Sequence, residues 1–228
     1  MAPLGLIIFD CDGVLVDSEP LSMRVLLQTI AEAGAEIDVA EGYEAFLGKS
    51  LATVCDQLRR DYGIDLDAAV LERMRRHLYR AIRRELQPIP GIAEALAGFS
   101  QPLCVASSSQ LERIALSLEV TGLAPYFKGN LFSASMVTRG KPAPDLFLHA
   151  AERMSVAPSN CIVIEDSPAG ITAALEAGMA VFGFTGGSHA RTEAHHGKLA
   201  ALDPLAVFDD MRDLPVLIQD LQHRQRVS

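Results

Sequence analysis

Short apolar runs recur along this chain, and the first, Leu4-Gly5-Leu6-Ile7-Ile8-Phe9, stops abruptly at Asp10-Cys11-Asp12-Gly13. A half-exposed strand alternates apolar and polar residues, whereas an unbroken apolar run closed by turn residues suits a strand covered on both faces. Similar runs stand at residues 103–106, 130–132, 161–164 and 180–184. Helix-like stretches separate them: Ser167-Pro168, a body over 169–177 and then Gly178 read as N-cap, first-turn proline, helix and C-terminal glycine. Strands alternating with helices predict an α/β fold, a doubly wound parallel sheet with helices on both faces.

One segment breaks the alternation. Between about residues 17 and 87 the pattern is helical, with Val70, Leu71, Met74, Leu78, Ile82 and Leu86 recurring at steps of three and four. Gln87-Pro88-Ile89-Pro90-Gly91 then ends any helix, because two prolines and a glycine cannot continue one. The expected division is an α/β core at 1–16 and 88–228 with an inserted helical cap at 17–87. The composition, 49% hydrophobic over 228 residues, supplies enough apolar material for both and excludes disorder, collagen and disulfide scaffolds.

Net charge narrows the partners. With 29 acidic and 20 basic side chains the formal charge is -9, which repels DNA and anionic membranes at long range, so neither is expected as a partner. No apolar run reaches the roughly 18–20 residues that span a bilayer. The N-terminus has no basic flank and meets Asp10 before any cleavage pattern, and Cys11, Cys55, Cys104 and Cys161 show no CxxC or zinc spacing. A reducing, cytoplasmic setting is the expectation.

The strand ends carry the chemistry. In open parallel sheets ligands bind beyond the carboxyl ends of the strands, where Asp10 and Asp12 sit after the first run. One carboxylate there suits a nucleophile or metal ligand and its neighbour a general acid and base. Ser107 ends the second run with a hydroxyl that can donate to a phosphate oxygen. Lys141, in Gly140-Lys141-Pro142-Ala143-Pro144-Asp145, can bring one positive charge to the same oxygens. Glu165-Asp166 ends the 161–164 run with hard oxygen ligands suited to Mg²⁺. Singly these are an acidic turn, a turn serine, a solvated lysine and part of a helix cap. Together they fall at one edge of the expected sheet.

At these residues the chain resembles the haloacid dehalogenase superfamily of phosphohydrolases, and four motifs match in order: Asp10 and Asp12 in hhhhDxDG, the strand-terminal Ser107, Lys141 in GKPAPD, and Ile164-Glu165-Asp166-Ser167-Pro168-Ala169-Gly170. Within it the chain is most similar to small sugar-phosphate phosphatases, including those acting on 6-phosphogluconate, and to β-phosphoglucomutase-type enzymes. The resemblance implies a Rossmann-like core with a helical cap, Asp10 as nucleophile forming an aspartyl-phosphate, and Asp12 as general acid and then base. It implies Mg²⁺ held by the Asp10 carboxylate, the Asp12 main-chain carbonyl, Asp166 and Glu165. Ser107, Ser108 and Lys141 would hold the phosphoryl group, with backbone N–H groups at Cys11 and Gly13 in the cradle, and Glu19, Lys49 and Ser50 would face a small phosphorylated metabolite from the cap.

The match departs from the mutases at two places. Ser22 stands where they carry a histidine and Leu51 where they present an arginine to a second phosphate, which favours a phosphatase over a phosphotransferase. A module merely phosphorylated on aspartate, the alternative from another class, needs neither the cap nor Asp12. Gly48-Lys49-Ser50 is no P-loop, because Tyr43 replaces the required glycine. Arg73, Arg75, Arg76, Arg80, Arg83 and Arg84 read as a solvated helix face, and His189, His195 and His196 are assigned no metal. Cys11 reads as a packing residue. The exact ester and the oligomeric state are not legible.

Overall fold

The computed structural model describes residues 4–47 and 51–227. Its contacts divide the chain into Met1–Asp17 with Gln87–Ser228, and Ser18–Leu86. The first unit holds six parallel strands, β1 (Leu6–Phe9), β2 (Leu103–Ser107), β3 (Leu131–Ser133), β4 (Cys161–Glu165), β5 (Ala180–Phe184) and β6 (Ala206–Phe208), in the order β3-β2-β1-β4-β5-β6. The unit 2 helices are α1 (Glu19–Glu32), α2 (Val39–Phe46), α3 (Leu51–Asp61) and α4 (Ala68–Glu85). Helices α5 (Ile92–Ala97), α6 (Leu111–Val120), α7 (Ala124–Phe127), α8 (Asp145–Arg153), α9 (Pro168–Glu176), α10 (Glu193–Ala200) and α11 (Leu214–Val227) belong with the sheet.

The unbroken apolar runs are explained by burial on both faces. All four β1 side chains are fully buried, and alternation along the strand sends them to opposite sides. Leu6 and Ile8 join Cys104, Ala106, Val163 and Val181 against Leu146 and Phe147 of α8 and Ile171 and Ala174 of α9. On the opposite side Phe9 meets Phe127 of α7 edge to face, with centroids 6.1 Å apart. The register places Phe9 beside Val105 on β2 and Ile164 on β4, so Asp10, Ser107 and Glu165 emerge together at one carboxyl edge. Chain order reverses across β1, with β2 and β3 on one side and β4 to β6 on the other. That reversal opens a crevice at the strand ends.

The helical unit has its own core of Met23, Ile30, Phe46, Val54, Leu58, Ile64 and Leu66. Helix α2 starts where Asp38 accepts from Glu41 N–H, and α4 where Asp67 accepts from Val70 N–H. The six arginines of α4 are all exposed, as a solvated face requires. The expected boundaries shift by one residue at each end. Asp17 N–H donates to the Gln87 carbonyl at 3.0 Å, and Val16 bridges Pro88, which binds both connecting segments into the sheet unit. The short edge strand β6 was not expected from the sequence. No helix among the described residues is long and apolar enough to cross a membrane.

Because Ile8 is wholly buried between β2 and β4, Ile8→Ala removes packed volume that neighbouring strands cannot collapse to fill. Urea unfolding is expected to show a loss of about 2–5 kcal/mol. A loss under about 1 kcal/mol would place Ile8 outside the core.

Candidate active site

One ammonium organises the strand ends. Lys141, in the loop before α8, donates from Nζ to Asp10 Oδ1 at 2.6 Å, to Glu165 Oε1 at 2.6 Å and to the Ala106 carbonyl at 2.9 Å. Those three acceptors satisfy the three N–H donors of an ammonium, and the Phe147 ring lies 4.8 Å away. The side chains of Lys141, Asp10 and Glu165 are only 4%, 9% and 1% exposed. Burial works against the charge of Lys141, but the Asp10 and Glu165 carboxylates more than offset it and raise its pKa, so the lysine stays protonated. Burial pushes the Asp10 carboxyl well above the usual range. Lys141 opposes this, while Glu165, Asp166 and Asp12 add to it.

Glu165 is tied to both Lys141 and the start of α9. Its Oε1 is held by Lys141, and its Oε2 accepts from Asp166 N–H, Ser167 N–H and Ser167 Oγ–H, each at 2.9 Å. The Ser167 hydroxyl also accepts from Gly170 N–H and caps α9. Glu165 is therefore an anchor seated on the start of a helix, where the macrodipole favours an anion, and both its oxygens are engaged. A side chain at Gly170 would run into that carboxylate, so the glycine of this segment is a packing requirement.

Asp12 is held by two side chains from the segment that follows β2. Its carboxylate accepts from Arg113 Nη2 at 2.7 Å and from Ser109 Oγ at 2.6 Å, and it is 15% exposed. Ser109 is itself fixed, its carbonyl accepting from Ser133 Oγ at 2.7 Å. Gly13 serves the turn and not the anion cradle, because its N–H donates to the Val16 carbonyl at 2.8 Å and its φ is +82°. Any Cβ there would strike the Asp166 carboxylate. Cys11 is buried, and burial together with Asp12 and Asp10 raises its thiol pKa, which removes it as a nucleophile. Ser107 is buried at the β2 end with its Oγ accepting from Ser109 N–H, and Ser108 beside it is exposed. Glu19 opens α1 half-buried; Lys49 and Ser50 lie outside the described residues.

The four acids thus do not form one cluster of ligands. Among the described residues no three His, Cys, Asp or Glu side chains are grouped to hold a metal ion. The hard oxygen donors left at the strand ends are the buried carboxylates of Asp10 and Asp166. Lys141 serves two buried carboxylates, Asp10 and Glu165, while His189 meets the third, Asp166, and the negative charge left over is what a divalent ion would neutralise. Asp166 follows β4, its pKa raised by burial against the opposing pull of His189. His189 Nε2 lies 2.9 Å from Asp166 Oδ2, and His195 Nε2 2.7 Å from the Asp166 carbonyl.

Sequence reasoning missed Arg113, Ser109, His189 and His195. Arg113 lies in the first turn of the helix that follows β2, and His189 shortly after β5. Both positions belong to the carboxyl edge of the sheet, so placing every polar side chain just past a strand would have found them.

Residues 4–178 match the haloacid dehalogenase-like hydrolases. A 6-phosphogluconate phosphatase of Escherichia coli is 34% identical over 200 residues, 86% of this chain and 89% of that protein. A fructose-1-phosphate phosphatase of the same organism is 31% identical over 176 residues, 76% of this chain and 92% of that protein. Among solved structures, a conserved haloacid dehalogenase-like protein of unknown function from Agrobacterium tumefaciens is 38% identical, with a TM-score of 0.84 over 96% of this chain and 99% of that one.

The buried charge has a pH signature. Since the folded pKa of Asp10 exceeds that of an unfolded aspartate, its burial costs nothing below about pH 4 and destabilises progressively as pH rises through the folded value. In metal-free protein, Asp10→Asn should therefore melt above the parent at pH 7. The margin should shrink on acidification. A less stable variant at pH 7, or a margin independent of pH, would contradict the burial cost.

Proposed function

The chain is a haloacid dehalogenase-like hydrolase, a phosphoric monoester hydrolase, and we propose that it cleaves a small sugar phosphate through a phosphoryl intermediate on Asp10. The observation that carries this reading is the Lys141 hub. The lysine engages Asp10 at Oδ1, so Oδ2 is the oxygen offered to phosphorus, while the same ammonium supplies positive charge beside the transferring group. The Asp10 Oδ2–P bond forms as the bond from phosphorus to the sugar oxygen breaks, and Asp12 delivers a proton to that oxygen. Asp12 then takes a proton from the water that attacks phosphorus, releasing inorganic phosphate and restoring Asp10.

Ser107 and the backbone N–H groups that follow Asp10 bind phosphoryl oxygens in this reading. Arg113 and Ser109 orient the Asp12 carboxyl. Asp10, Asp166 and the Asp12 carbonyl would hold Mg²⁺, the cation that such oxygen donors suit. A bound divalent ion supplies charge neutralisation for the phosphoryl and the carboxylates together. The sugar-phosphate class is supported by the relatives named for 6-phosphogluconate and fructose 1-phosphate.

Asp10→Asn should lower turnover of p-nitrophenyl phosphate by at least about 10³-fold while the protein stays folded. Near-parent hydrolysis by that variant, free of deamidation, would overturn the nucleophile. Asp12→Asn should cost about 10²–10⁴-fold on a sugar phosphate and less on p-nitrophenyl phosphate, since nitrophenolate leaves without a proton. Equal losses on the two esters would remove Asp12 as the acid. In a kcat/KM panel with Mg²⁺, hexose-derived esters should outrank phosphoglycolate and nucleotides; the reverse order would overturn the substrate class.

A further inference from the structure

The segment after β5 makes contacts that the proposed chemistry leaves unexplained. His189 Nε2 meets Asp166 Oδ2 at 2.9 Å, with the two side chains only 5% and 8% exposed. His195, from the first turn of α10, reaches the same residue at its main chain, 2.7 Å from the carbonyl oxygen. A carbonyl only accepts, so His195 carries a proton on Nε2. The two imidazoles pack edge to face, with centroids 5.7 Å apart and planes at 76°.

Their surroundings fix the arrangement. A Cβ at Gly13 would strike the Asp166 carboxylate and the His189 ring, and one at Gly187 would crowd the Gly13 carbonyl and the same ring. The strap between them is fastened to the far end of the first loop, where Ser188 donates to Asp17 Oδ1 from Oγ at 2.7 Å and from N–H at 3.2 Å. Asp166 is thus pinned at both main chain and side chain by one stretch of chain, and the imidazole N–H occupies one particular oxygen of its carboxylate.

That choice of oxygen has a chemical consequence. Ca²⁺ tolerates six to eight oxygens and readily takes both oxygens of a carboxylate, while Mg²⁺ demands near-ideal octahedral geometry. We propose that His189 is a positioning residue that sets the cation selectivity of the site. By holding Oδ2 it makes Asp166 present Oδ1 alone, which favours a small octahedral ion over Ca²⁺. His195 keeps the His189 ring and the Asp166 backbone in register. This inference rests on the proposed cation site at Asp10, Asp166 and the Asp12 carbonyl.

The test is calorimetric titration of metal-free protein with Mg²⁺ and with Ca²⁺, independent of turnover, on the parent, His189→Leu and His189→Gln. His189→Leu should weaken Mg²⁺ binding by about 10-fold or more, as loss of a partner behind a metal ligand does, and should shift the affinity ratio toward Ca²⁺. His189→Gln, whose amide N–H can meet the same oxygen, should restore the parent's ratio. If the leucine variant unfolds, His189→Asn, with a shorter side chain, reads the same ratio. An unchanged ratio in a folded variant, equal weakening for both ions, or tighter Mg²⁺ binding overturns the role of His189 while leaving the cation site standing. A parent that binds neither ion overturns the site itself, and the selectivity role with it.

Discussion

The site depends on one buried positive charge. Lys141 is the only cation in contact with Asp10 and Glu165 among the described residues, and its three donors are all spent, two on those carboxylates and one on the β2 backbone. Burying two carboxylates against one ammonium is tolerable because each oxygen so engaged has a donor. The contact also crosses three neighbouring strands: Asp10 continues β1, Ala106 lies on β2 and Glu165 ends β4. The order of strands in the sheet therefore determines whether the lysine can reach its partners. A fold that moved β4 away from β1 would separate Asp10 from Glu165.

Around that hub, positions are held by close packing and not by long flexible arms. Gly13 lets the first loop press against Asp166, and Gly170 lets α9 begin directly over Glu165. Serines relay the rest: Ser167 joins the α9 N-terminus to Glu165, and Ser109 joins the β3 end to Asp12. The arrangement concentrates negative charge in a place where burial disfavours it, at a cost in stability. Asp10 and Asp166 both carry raised pKa values for that reason, and a bound divalent cation would offset the surplus negative charge.

Much of this was legible in the residues. Runs buried on both faces announced β1, β2, β4 and β5, and acids, serine and lysine at their ends announced the site, because strand termini and burial are encoded locally. Strand β6 was not, since its three residues Ala206-Val207-Phe208 make too short an apolar run to mark a strand, and two of them are only half-buried at the sheet edge. The partners of Glu165 and Gly13 were not legible for a different reason. Residue type says that a glutamate can ligate a metal and that a glycine has an N–H to offer, but only the folded backbone shows that Lys141 and Ser167 take the glutamate and Val16 takes the N–H. His189 and His195 escaped because a histidine's type suggests a metal ligand, whereas their ring nitrogens meet the Asp166 side chain and main chain. Such partners are separated by more than twenty residues and carry no local signature.

The central claim is that the Lys141-bound Asp10 carries the phosphoryl group during turnover. It is tested most directly by acid-quenching the enzyme during hydrolysis of a sugar phosphate with Mg²⁺ and locating phosphate by peptide mass spectrometry. The account predicts transient phosphate on the peptide containing Asp10, at that side chain, and none on Asp10→Asn. Turnover with no phosphorylated peptide at any quench time, or phosphate on another residue, would contradict it.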